Sequence, residues 1–459
     1  MKVLVKRSPS NSRITKRIAT SNFNLTLYPV IIIWVLVGMY LGAIVNVFVL
    51  GALAVWGYQK RYSEILIAFI FMLLLSDSRH MALDFAKSTK MFYILVMASI
   101  MIFQLPSFRP FNKIYFHFIP FFIFAFISII YADSAFQSMQ RTVSYLLLIL
   151  IVPNYVQAIL KTKREQFFID LNIFFLGLLF VGLVFRLMAP GVVMFAAGRY
   201  TGLLGNPNGL GIFLLLNFII FTVSKSYYPK LFGTKFTIFA YSLMGISLIL
   251  CGSRTALFTV FLFILFKETF KISRFLGLLL FFIILISAQL FIANVEAIIT
   301  ALNLQDYLRI ETLATGSGRL FAFEVAWESI KENVFIGKGF GYTGELFVKF
   351  KDELSLLNHQ GNVHNSFLTL WLDTGLWGLI AFVGAWFGYL IKWSQKVFLT
   401  IPIIYSIFFS SFFESWLSAS LNPFTIQFLL IISIFYYFNE NIISTKKKKI
   451  DYRRVKLRA

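Results

Sequence analysis

The sequence is poor in charge, histidine and cysteine, and each shortage excludes something. Asp, Glu, Lys and Arg make up only 14% of its 459 residues, against roughly 25% in a soluble domain, so a water-soluble globular chain is excluded. The single cysteine, Cys251, leaves no intrachain disulfide and no thiolate cage for a metal. The four histidines, His80, His117, His359 and His364, form no helical ligand pair. No D-x-D motif, nucleophile elbow or nucleotide-binding loop appears either. Neither a metal nor a cofactor is therefore expected.

What fills the chain is apolar: 59% of residues are hydrophobic and the mean hydropathy is +0.79. Apolar runs of membrane-spanning length recur from end to end. Backbone in lipid must satisfy its own hydrogen bonds, which leaves helices or a closed barrel, and runs without period-two alternation decide for helices. The expected fold is all-α, a polytopic transmembrane bundle of about 12 to 14 spans.

The net charge of +22 follows the membrane. Lys446 to Lys449, Arg453, Arg454, Lys456 and Arg458 close the chain, and "KTKRE", "KETFKISR" and "KWSQK" fall in short loops. This is the positive-inside pattern, with both termini cytoplasmic and anionic lipid as the partner of both tails. No basic face interleaved with aromatics stands on a soluble domain, so nucleic acid is not an expected partner. The basic N-terminus (Lys2, Lys6, Arg7, Arg13, Lys16, Arg17) precedes an apolar run too long for a secretory signal and reads as a retained anchor.

Working back from the tail gives a basic arm at 1–27, a transmembrane scaffold at 28–190 and a transmembrane region with arginine-bearing outer turns at 191–293. A large outer loop follows at 294–364, then C-terminal spans at 365–438 and the basic tail at 439–459. The run 28–58 is too long for one ordinary helix and reads as two short ones. The large loop holds nine of the chain's twenty acids and is net acidic. Within it, "RLFAFEVAWESIKEN" has apolar residues at 320, 323, 327 and 330, an amphipathic helix suited to the membrane surface. "GKGFGYTG" after it contains G-x-G-x-x-G (Gly339, Gly341, Gly344), but with no preceding strand it reads as a tight turn.

Four positions stand out. Arg254 is the one charge in an apolar hairpin turning at "CGSR". Its second arm, 255–266, is roughly 18 Å at helical rise, too short for a ~30 Å core, which draws Arg254 below the outer surface. It is either a snorkelling side chain or an anion site within the membrane. Arg199 lies in "GRYTGLLGNPNGLG", an outer turn that suits a phosphate at a helix N-terminus or is a plain loop. Arg319 opens the amphipathic helix, where a solvated helix-end arginine is the ordinary reading. In "GNVHNSFLTLWLDTGLWGL", with Lys392 anchoring the inner end, His364 stands about 12 Å outside the hydrocarbon, and Asp373 falls at the interface with an arginine as a possible partner. Gly375 and Gly378 are read as close-packing positions.

Taken together, "GRYTGLLGNPNGLG", "GSRTAL", "GRLFAFEVAWESIKENVFIGKGFG", "HNSFLTLWLDTGLWGL" and "FFESWLS" resemble, in order, the bacterial O-antigen ligase/polymerase family. The likeness runs from about residue 195 to 420; the first 190 residues agree as a helical scaffold only. The family's usual acid in the last span motif is glutamate, and Asp373 takes that place here. The resemblance implies a GT-C-like inner-membrane glycosyltransferase with its site on the periplasmic face. It would use an undecaprenyl-diphosphate-linked glycan as donor and a glycan, lipid A core or protein as acceptor. Carried over by position, Arg199, Arg254 and Arg319 match the arginines near the diphosphate, and His364 the histidine that activates the acceptor hydroxyl. Asn365, Asp373, Glu414 and Asn208 are candidate supporting residues. Fixed cations for a leaving diphosphate and an imidazole base suffice for direct, inverting transfer without a metal. A transporter or flippase of lipid-linked oligosaccharide is the rival, since a conduit also wants buried cations.

Overall fold

The computed structural model describes residues 26–78, 80–195, 198–293, 319–350, 352–353 and 361–441. Nearly all of the basic arm and tail, the first part of the large loop and His359 lie outside the described residues.

Helices account for the chain, as its composition requires. The first fourteen elements of the bundle are α1 (Leu27–Leu41), α2 (Val45–Tyr58), α3 (Tyr62–Asp77), α4 (Phe85–Phe103), α5 (Tyr115–Ser128), α6 (Ala135–Thr162), α7 (Arg164–Met188), α8 (Pro207–Tyr227), α9 (Thr234–Cys251), α10 (Arg254–Ile272), α11 (Arg274–Ala293), and two shorter loop helices, α12 (Arg319–Glu332) and α13 (Tyr342–Lys349), before α14 (Ser366–Trp393). Then come α15 (Thr400–Phe413) and α16 (Pro423–Tyr436). Leaving aside α12 and α13, these helices stand on the spans expected from the sequence. Among the described residues, seven helical stretches are long and apolar enough to cross a membrane by length and composition, with 27–58 counted as one.

That first run is two helices, as its length demanded. The chain turns at Gly42, and Trp34 packs against Trp56 with ring centroids 5.8 Å apart, which closes a hairpin. At the centre of the bundle, α16 is buried at every residue and α3 at every residue from Tyr62 to Ser76. α16 packs on α3, α6, α8 and α14. Polar side chains tie this core: Gln427 donates to Asn217 at 2.7 Å across α16 and α8, and Asn172 donates to Ser224 at 2.9 Å across α7 and α8. Apart from packing, such bonds are what can hold helices together in lipid.

Two boundaries differ from expectation, with consequences for the site. α10 runs for 19 residues because its last turn continues through Lys267, Glu268 and Lys271, whose charges pair with one another. The helix is roughly 28 Å long, but its apolar part still ends before Lys267. α14 is not a straight rod. Gly375 adopts φ 74° and ψ 178° inside it, so the distance assigned to His364 by straight-helix arithmetic does not apply. At this break the 333–339 segment meets α14: Leu376 N–H donates to Val334 O at 2.9 Å, and Lys338 N–H to Leu372 O at 3.0 Å. Only glycine fits, because a Cβ at 375 would overlap the Phe335 carbonyl and carry a positive φ. Gly375→Ala is expected to cost about 3 kcal/mol or more, seen as a lower melting temperature and yield of the purified protein.

Candidate active site at one end of the bundle

The sequence-selected residues gather at the end where α8, α10, α14 and α16 begin and α9 and α15 finish. Three contacts fix this. Phe258, one turn into α10, packs against Phe409 near the end of α15 at 5.1 Å. Phe367, in the first turn of α14, packs against Phe408 and Phe412 at 4.7 and 5.2 Å. A Cβ on Gly211, in the first turns of α8, would stand 2.7 Å from Ala256 Cβ and 2.8 Å from Ser253 Cβ. Arg254 and His364 therefore flank the same end of α15.

His364 is held in place by its neighbours. Its Nδ1 lies 3.0 Å from Glu414 Oε2, and the side chains are 16% and 10% exposed. A carboxylate only accepts, so beside ionised Glu414 Nδ1 carries the proton and Nε2 is the acceptor nitrogen of the ring. The backbone of His364 has φ 50°, uncommon for a residue with a Cβ. On one side Asn362 Oδ1 accepts the His364 N–H at 3.2 Å and the Ser415 hydroxyl at 2.7 Å. On the other, Asn365 caps α14 by accepting from Phe367 N–H and Leu368 N–H at 2.9 and 3.0 Å, the ordinary reason for asparagine at an N-cap. Ser366 Oγ donates to Glu414 O at 2.8 Å and accepts from Leu417 N–H at 3.3 Å. The "HN" and "FFESWLS" motifs thus form one hydrogen-bonded unit. Glu414 and Ser415 had only their motif to recommend them, and Asn362 only its place two residues before His364.

The arginines are placed differently from one another. Arg199 donates from Nε to Cys251 O at 3.1 Å, and from Nη2 to Gly252 O at 3.1 Å and Asn208 Oδ1 at 3.2 Å. Cys251 and Gly252 end α9, where Gly252 takes the left-handed conformation (φ 58°, ψ 28°), and their carbonyls have no helical partner of their own. Arg199 therefore clasps the turn that presents Arg254, and Asn208 holds the clasp. Asn206, not Asn208, caps α8, accepting Asn208 N–H at 3.0 Å. Arg254 is half-buried as the first residue of α10. Arg319 is the first residue of α12; its side chain lies outside the described residues.

Of the apolar stripe read from its sequence, α12 buries Ile330, half-buries Phe323 and leaves Trp327 exposed. Its buried face is Ala322, Ala326 and Ile330, packed with Leu372, Val363, Tyr342, Leu346 and Phe347. The small alanines let it seat against α14, and Trp327 meets Trp371 edge-on at 5.5 Å. Protein covers this one face, while Trp327 on the expected stripe stays 43% exposed. At its end Glu332 pairs with Lys338, which holds the glutamate carboxyl below its ordinary range.

Asp373 also differs from expectation. It is 2% exposed and accepts three hydrogen bonds from the glycine turn: Gly341 N–H at 2.8 Å, Thr343 N–H at 2.8 Å and the Thr343 hydroxyl at 2.7 Å. No arginine bonds it among the described residues. It fixes the turn that follows α12. Asp373→Ala would leave three donors unmatched and is expected to cost about 3 kcal/mol or more, read as lost thermal stability rather than as an inactive but stable protein.

An all-α bundle of membrane-spanning helices, with a histidine–carboxylate pair and arginines at one end, defines a polytopic membrane protein with a polar site where helices meet water. Residues 239–383 match the O-antigen ligase family, a stretch that contains Arg254, Arg319, His364 and Asp373. The matched segment, about a third of the chain, is similar to O-antigen ligase domains, and the match supports a function of the O-antigen ligase/polymerase type. No curated protein matches the chain.

Proposed function

We propose that the protein is a metal-independent, inverting glycosyltransferase that moves a glycan from undecaprenyl diphosphate to a sugar hydroxyl at the outer face of the plasma membrane. The observation that carries this reading is the His364–Glu414 pair at the bundle end that also holds Arg254 and Arg199. In the step proposed, His364 Nε2 takes the proton of the acceptor hydroxyl as its oxygen bonds to the anomeric carbon. The bond from that carbon to the diphosphate breaks, and the diphosphate leaves with the electron pair. Glu414 stabilises the imidazolium. Arg254 faces the leaving group, where a planar, permanently charged fork suits phosphate oxygens, while Arg199 adds charge and holds the turn. Arg319 is proposed as a third diphosphate contact. The GT-C-like character and the acceptor class (glycan, lipid A core or protein) belong to the same reading, as does the cytoplasmic placement of both termini.

The test is purified protein in detergent with a lipid-diphosphate-linked glycan and a glycan acceptor. Formation of a glycosidic product with release of undecaprenyl diphosphate supports the reading. Movement of the same lipid across proteoliposomes, with no new glycosidic bond, would instead make the protein a transporter.

A further inference from the structure

Two cations outside the arginine set sit on packed helix faces near this centre. Lys90 lies five residues into α4, and its neighbours one turn either way, Ala86 and Ile94, are both fully buried. Its stem therefore leaves the helix on the side that packs into the bundle. Arg141 lies six residues into α6, between Ser138 and Tyr145, which are 4% and 0% exposed. Arg141 itself is exposed, although its neighbours on that face are packed. α4 and α6 pack together, and Lys90 is within electrostatic reach of Arg141, Lys87 and Asp77.

The surroundings are shaped for these side chains but do not saturate them. Lys87 is paired with Asp84 at 2.7 Å. A Cβ on Gly341 would overlap Arg141, and one on Gly344 would stand 3.1 Å from its Nη2. Across this turn the Asp373 carboxylate influences Arg141 yet spends its oxygens on Gly341 and Thr343. Among the described residues, neither the Lys90 ammonium nor the Arg141 guanidinium makes a hydrogen bond or an ion pair. A half-buried ammonium such as that of Lys90 is costly without a direct partner unless it serves a ligand, and Arg141 stands on the helix packed against it.

Both connect to the proposed centre. Tyr145, one turn from Arg141, donates to Leu417 O at 2.9 Å, and Leu417 is tied through Ser366 to Glu414. On the other side, Asp77 Oδ2 lies 3.6 Å from where a Cβ on Gly209 would stand, beside the Asn208 that holds Arg199.

We propose that Lys90 and Arg141 form an anion subsite for the sugar chain, taking a uronate carboxylate or a sugar-borne phosphate on the glycan being transferred. The inference rests on the transferase reading for the identity of the ligand, not for the existence of the site. The probes are two lipid-diphosphate disaccharides, one ending in glucuronate and one in glucose, bound to the full-length protein in nanodiscs. Wild type is expected to bind the glucuronate probe about tenfold more tightly, and K90M/R141Q to lose that preference while binding the glucose probe within about twofold of wild type. The charge-conserving K90R/R141K variant, included against misfolding, should keep the preference. No preference in wild type, or a preference that survives K90M/R141Q, overturns the subsite. So does a dependence on phosphatidylglycerol in the nanodisc in place of the sugar carboxylate, which would assign the cations to a lipid headgroup. Binding is read without turnover, so a chain that keeps the preference but forms no glycosidic product sinks the transferase reading alone.

Discussion

Replacing His364 by alanine is expected to slow glycan transfer by about 100- to 10,000-fold while donor binding and thermal stability stay near wild type. The imidazole is 16% exposed and its Nδ1 is engaged by Glu414, so the alanine removes a base without opening a large core cavity. Glu414→Gln is the companion variant. It keeps a hydrogen-bonding group beside the ring but removes the charge that stabilises the imidazolium, and a smaller loss on the order of 10- to 100-fold is expected. Rates under donor saturation check both. Equal losses in kcat for the two variants would mean that Glu414 takes part in proton transfer itself.

Arg254→Ala is expected to lower transfer by about 100- to 1,000-fold, the scale of removing one fixed charge from a developing anion. Arg254→Lys restores charge but not the planar fork and should fall between alanine and wild type. Arg199→Ala is a necessary contrast. Its guanidinium binds the carbonyls of Cys251 and Gly252, so its loss is expected to reduce stability by about 1–3 kcal/mol as well as activity. Melting temperature measured beside rate separates the two: Arg254→Ala lowers the rate alone, Arg199→Ala lowers both.

The bundle was legible because lipid allows few solutions. Apolar runs bounded by "KTKRE", "KETFKISR" and "KWSQK" leave little freedom in where helices lie, and the excess length of 28–58 required the turn found at Gly42. Helix ends were less legible, since charged turns extend a helix past its apolar run. α10 continues through Lys267 and Lys271, and α4 begins at Phe85, which places Lys90 inside a helix although its charge reads as loop.

At the site, motif residues were legible and their partners were not. His364 and Glu414 are fifty positions apart, and only the antiparallel packing of α14 and α15 joins them. Asp373 shows the limit most clearly. An acid inside an apolar helix invites a charged partner, whereas backbone amides of a glycine turn satisfy it equally well and leave no trace in the pattern of side chains. Gly375 was read as a packing position because a break inside an apolar run has no composition of its own.

The central claim is that a guanidinium and an imidazole meet one lipid carrier from the same side of the membrane. Single cysteines at positions 254 and 364, placed in a Cys251→Ser background and treated in spheroplasts with a membrane-impermeant maleimide, test it directly. Both positions are expected to label without permeabilisation. Labelling of one from outside and of the other only after the membrane is opened would contradict the account.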